Sequence, residues 1–166
     1  MISDISDASV FGRHREPKPQ WTWPNDTEPL LFSRTTGRND TKKVALKLSI
    51  TAEIADDRVV QAMGSDDISV WEIRSSRFGT SALRNQSDLT GFRLLAGRVF
   101  DEIRNQHGSD VELSVFPAVP VACAIGFGRV WQQKAHPAFD IYDEIAGPGV
   151  VCRHRVESQA VLAGAA

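Results

Sequence analysis

The stretch that most constrains this chain runs through residues 111–142. Val111, Leu113, Val115 and Phe116 make residues 111–116 a buried strand. Pro117 and Pro120 then fix φ and remove two backbone donors, so the strand stops in the turn Pro117-Ala118-Val119-Pro120. Pro120 suits the first turn of the helix that follows, residues 121–131, built from Ala122, Ala124, Gly126 and Gly128. A basic loop with Trp131 and Lys134 leads to a second short strand at Phe139, Ile141 and Tyr142. Open α/β sheets place ligands where a strand runs through a tight turn into a helix. Helix N-termini also favour anions, because unpaired N–H groups and the helix dipole both point there.

The upstream elements read as supports of this unit. Residues 44–51, VALKLSIT, set Val44, Leu46, Leu48 and Ile50 against Ala45, Lys47, Ser49 and Thr51, a strand with one apolar face. A short helical pattern over residues 54–63 closes at Gly64. Residues 68–74 read as a second strand, rich in β-branched and aromatic side chains. From an N-cap at Ser87, the residues Leu89, Phe92, Ala96, Val99, Phe100 and Ile103 recur at helical steps as far as His107-Gly108. Strands that alternate with helices predict an α/β fold, a mostly parallel sheet flanked by helices in a single domain. Residues 1–43 read as an irregular arm bearing Trp21, Trp23 and the apolar run Leu30, Leu31 and Phe32, and the tail from residue 147 as loosely ordered. The two tryptophans either pack on the domain surface or offer a platform on which a base stacks.

The candidate ligand-binding side chains lie at the ends of these elements. Ser49 and Thr51 end the first strand, where they either meet a ligand or, for Thr51, cap the next helix. Arg74, Arg77 and Arg84 gather with Ser75, Ser76, Thr80 and Asn85 in a loop that either faces solvent or binds phosphate. Guanidinium forks match phosphate oxygens and hydroxyls add donors without bulk. Glu53, Asp56 and Asp57 read as a solvated helix start, since no histidine or metal-ligand spacing accompanies them. No metal site, cofactor or catalytic residue is expected.

At 166 residues one domain is expected, and a net charge of -2 gives no global pull toward duplex DNA or acidic membranes. Any anion site must be local. Cys123 and Cys152 lack metal-ligand spacing, and Cys123 reads as a small core residue. With no apolar run of membrane-spanning length and no apolar signal core, a cytoplasmic location is expected.

Three segments together resemble a known family: LKLSITAEI, SDLTGFRLLAGRVFDEI and above all LSVFPAVPVACAIGFGRVWQQKAHPAFDIYD. They are similar to the C-terminal half of a SAVED domain, over roughly residues 44–146. SAVED domains are cyclic-oligonucleotide sensors of bacterial CBASS systems and of some type III CRISPR effectors. The resemblance implies a CARF-like, Rossmann-type half-domain that binds a cyclic di-, tri- or tetranucleotide without a further cofactor. Ser49, Thr51, Arg74, Arg77, Arg84, Pro117, Ala118, Val119, Pro120, Ala122, Trp131 and Lys134 would frame that ligand. Only one half is visible, so a second copy or a separately encoded subunit is expected to complete the pocket and carry the effector. Two alternatives stay open: a ring nuclease that cleaves the messenger, for which His107, His136 and His154 are the available acid–base groups, and an adaptor that binds no nucleotide.

Overall fold

The computed structural model describes residues 30–37, 39–79, 82–144 and 150–157. In chain order the elements are β1 Leu30–Thr36, β2 Lys43–Ser49, α1 Asp56–Met63, β3 Ser69–Ser75, α2 Gln86–His107, β4 Glu112–Ala118, α3 Val121–Val130, β5 Phe139–Glu144 and β6 Val150–Val156. All six strands form one sheet in the order β1-β3-β2-β4-β5-β6. The inner strands β3, β2, β4 and β5 are parallel, while β1 on β3 and β6 on β5 run antiparallel. The fold is the expected Rossmann-like α/β domain.

The chain steps from β2 to β3 on one side and then returns past β2 to reach β4 on the other. The reversal opens a switch point between the carboxyl ends of β2 and β4, where doubly wound sheets bind ligands. On the first face, Val44, Leu46, Leu48 and Ile50 pack with Trp71, Ile73, Leu113 and Val115 beneath α2 and α3. Those helices contribute Phe92, Phe100, Ile103, Cys123 and Phe127. Each such large side chain taken from water is worth roughly 1.5–3 kcal/mol, so this layer dominates the core. The second face is thinner: α1 covers Ala45, Val70 and Phe116 through Val59.

Four local readings are corrected. Leu30–Thr36 is not irregular but an edge strand whose Leu30 pairs with Ser75. Val150–Val156 is a second edge strand, paired from Glu144 to Phe139 of β5, where a loose tail was expected. The cap of α2 is Asn85 and not Ser87: its side chain accepts from Asp88 N at 2.8 Å while Asp88 Oδ2 accepts from Asn85 N at 3.2 Å. This reciprocal box satisfies two orphan donors at once, which Ser87, two residues further in, cannot do. Finally, β4 does not stop at Phe116 but runs through Pro117 and Ala118, which pair with Leu48 and Ser49: Pro117 lacks a donor, yet its fixed φ is compatible with extended backbone, so the strand continues to Ala118. Trp21 and Trp23 lie outside the described residues.

Candidate functional site

The loops that leave β2, β3 and β4 are tied together at the switch point. Ile50 N and Thr51 N both donate to Ala118 O, at 3.0 and 2.8 Å, and Gly79 N donates to Thr51 O at 2.9 Å. Beside this knot a pocket of about 430 Å³ opens on the second face. Residues 52–55 and Arg58 wall it on one side, and Phe116, Pro117, Ala118 and Tyr142 on the other. Tyr142 stacks on Phe116 with ring centroids 4.8 Å apart. Burial raises the Tyr142 hydroxyl above its ordinary pKa, so it is a neutral donor at pH 7. The lining thus offers an aromatic face, several small apolar residues, one arginine and the Glu53 carboxylate.

Lys47 anchors the β2–α1 loop that forms the opposite wall, and Arg74 pairs with that loop nearer the surface. Buried Lys47 Nζ donates to Ile54 O at 3.0 Å and to Asp56 Oδ1 at 2.5 Å, and lies 3.5 Å from Glu72 Oε1. Glu72 Oε1 also accepts from Ser49 Oγ at 2.6 Å. Asp56 is therefore a structural partner rather than a solvated helix start. Nearer the surface, Arg74 Nη1 donates to Glu53 Oε1 at 3.0 Å, and its guanidinium lies 4.8 Å from the Phe78 ring centroid.

The residues expected from sequence divide by position. Pro117 and Ala118 line the pocket, with Thr51 in the knot beside it. Val119 and Pro120 form the half-buried turn into α3, and Ala122 is exposed in its first turn. Pro120 is the N-cap of α3, so the first N–H groups of that helix point out of the same end of the sheet. Arg74 reaches the pocket only through Glu53. Arg77 and Arg84 hold the loop ahead of α2 by their backbones: Arg77 O accepts from Ser75 Oγ at 2.7 Å and Arg84 N donates to Asp88 Oδ2 at 2.8 Å. Ser49 is fully buried, with its hydroxyl committed to Glu72.

Trp131 and Lys134 fall elsewhere, because α3 carries the chain from the carboxyl ends of the strands to their amino ends. Its ten residues span about 15 Å. There Trp131 Nε1 donates to Pro137 O at 2.9 Å and its ring packs edge-on against Phe139. His107 is buried at the same end, where Nδ1 meets Thr41 O at 3.0 Å and Nε2 lies 3.3 Å from Trp71 Nε1. A neutral ring with its proton on Nδ1 satisfies both. His136 stacks on Phe100 at 4.8 Å, and burial lowers its pKa. It lines a separate polar groove of about 530 Å³ between the amino end of β4 and Arg155 of β6. His154 lies on the edge strand β6. Burial pushes the Cys123 thiol up to about 11, which makes it an inert core residue.

Glu53 and Arg58 also line the pocket, although nothing local in the sequence marks them for it: only the β2–β4 pairing brings them opposite Pro117. Among the described residues no group of three or more His, Cys, Asp or Glu is placed to hold a metal, and no helix is long and apolar enough to cross a membrane.

A doubly wound, mostly parallel sheet with a pocket at its switch point defines a Rossmann-like α/β domain. Residues 1–150 match the model of the family described as SAVED, the SMODS-associated and fused to various effectors sensor domain, and the chain belongs to that family. The fold is shared with the Acinetobacter baumannii Cap4 SAVED/CARF-domain containing receptor solved with the cyclic trinucleotide 2′3′3′-cAAA, at TM-score 0.62 and 13% identity. The structure of that receptor with 3′3′3′-cAAA matches at TM-score 0.63 and 11% identity. Each comparison covers 84% of this chain and 30% of the receptor chain. The chain thus spans under a third of those receptors' length. No curated protein matches it.

Proposed function

We propose that this domain binds a cyclic oligonucleotide second messenger of the cyclic oligoadenylate type and acts as a sensor in cytoplasmic anti-phage defence. The observation that carries the proposal is the pocket at the β2/β4 switch point of a SAVED-family chain, with the N-terminus of α3 beside it. Its parts suit such a ligand: Tyr142 and Phe116 offer a stacked aromatic face for a base and Arg58 a donor for phosphate, while the first N–H groups of α3 lie at the same end of the sheet. At about 430 Å³ the pocket is near the small end of small-molecule sites, about 300–1,000 Å³, and suits one nucleotide of a ring. The remainder of the ligand then meets a second copy or a separately encoded subunit, and this assembly switches on the effector.

The reading is tested by thermal unfolding with cyclic triadenylate, followed by chromatography of the nucleotide. At a hundred times Kd the ligand stabilises the fold by about 2.7 kcal/mol, and the ring is recovered intact. No stabilisation by any cyclic oligonucleotide overturns the proposal, and linear products convert the sensor into a ring nuclease.

A further inference from the structure

The wall of the pocket carries its own anion. Glu53 lines the pocket, while Arg74, the cation it holds at 3.0 Å, does not. The two side chains are 61% and 38% exposed, so water competes for the pair and it contributes little to the fold. Neither of its neighbours depends on it. Phe78 holds the Arg74 guanidinium at 4.8 Å from its ring, and Lys47 fixes the loop one residue beyond Glu53 through Ile54 O. With Glu53 turned away, Arg74 would keep its place with its donors exposed at the pocket rim.

We infer that Glu53 is a built-in competitor for the ligand's phosphate, a carboxylate latch that occupies Arg74 until a phosphodiester displaces it. The inference rests on the proposed binding of a cyclic oligonucleotide and adds the order of events at that site. An arginine fork binds phosphate oxygens through two parallel hydrogen bonds, whereas Glu53 engages it through Nη1. A nucleotide phosphate placed in the pocket also meets the Glu53 carboxylate as a like charge, so the side chain opposes anions until it swings out. The latch raises the affinity a ligand must possess and disfavours ligands without phosphate at that position. It thereby sets specificity without touching the bound ring.

The test compares wild type, Glu53→Gln and Arg74→Gln by isothermal titration with 3′3′3′- and 2′3′3′-linked cyclic triadenylate. Far-UV circular dichroism of each unliganded variant serves as the folding control. Glu53→Gln is expected to tighten binding by about fivefold, and Arg74→Gln to weaken it. A parallel thermal-shift series uses inorganic pyrophosphate, a phosphate probe independent of the cyclic ring. There Glu53→Gln is expected to gain more protection than wild type. Unchanged or weaker ring binding by Glu53→Gln makes the carboxylate a bystander or a direct acceptor for the ligand, and overturns the latch. So does Arg74→Gln binding that matches wild type. If wild type ignores both rings, the sensor reading fails, and the latch is then decided by pyrophosphate alone. An equal response of wild type and Glu53→Gln to that probe, zero included, overturns it.

Discussion

Lys47 shows how a single charge is made affordable inside a sheet. Its ammonium is nearly sealed from water yet surrounded by Ile54 O, Asp56 and Glu72, and Ser49 completes the coordination of Glu72. Removing one partner leaves buried charge uncompensated, so Lys47→Met is expected to destabilise by about 3–5 kcal/mol in urea denaturation. Because Lys47 also holds the β2–α1 loop, the same variant loosens the pocket wall. His136 supplies a pH dependence of known sign. Burial lowers its pKa, with nearby Asp101 opposing in part, so the unfolded chain binds the proton more readily than the folded one. Its contribution is fully present above the ordinary histidine pKa of about 6.5 and is lost as pH falls through that value toward the lower folded pKa. Melting temperatures between pH 8 and 5 are expected to drop more steeply for wild type than for His136→Gln.

At the scale of elements, the α2 cap separates two serviceable residues by geometry. Asn85→Ala breaks the reciprocal box with Asp88 and is expected to cost about 1 kcal/mol. Ser87→Ala, in the exposed first turn, is expected to stay within about 0.5 kcal/mol. Equal effects in denaturant melts contradict the assignment. Gly37, at φ 105, ends β1 so close to β3 that an added Cβ would lie 2.3 Å from Ser69 Cα. Gly37→Ala is expected to cost at least about 2 kcal/mol, seen as a lowered melting temperature. These two positions also mark what periodicity could and could not convey. The stripe of α2 and the alternation of β2 are local, and both were legible. Ser87 and Asn85 are equally good caps in sequence, and only Asp88 reaching back to Asn85 breaks the tie. Edge strands β1 and β6 have one paired neighbour each, so their residues carry weaker patterns, and LLFSRTT and VVCRHRV passed as arm and tail.

At the scale of the whole molecule, the site follows from strand order, which no local pattern encodes. Pro120 marks the step from β4 into α3, but β4 runs on through Pro117 and Ala118, which pair with Leu48 and Ser49 where a turn was expected, and the partner wall depends on β2 lying beside β4 rather than at an edge. The same order explains why Trp131 and Lys134, near that turn in sequence, lie a helix length away at the opposite end of the sheet. Lys47 is buried for a related reason: alternation marks a polar face, and only α1 and its loop cover it. In the proposed function the β2/β4 switch-point pocket receives a cyclic oligonucleotide. Isothermal titration of cyclic triadenylate into wild type, Ala118→Trp and Lys134→Ala tests it most directly. Saturable binding is expected for wild type, none for folded Ala118→Trp whose indole fills the pocket, and undiminished binding for Lys134→Ala. Binding that survives Ala118→Trp but is lost in Lys134→Ala would contradict it and move the site to the other end of the sheet.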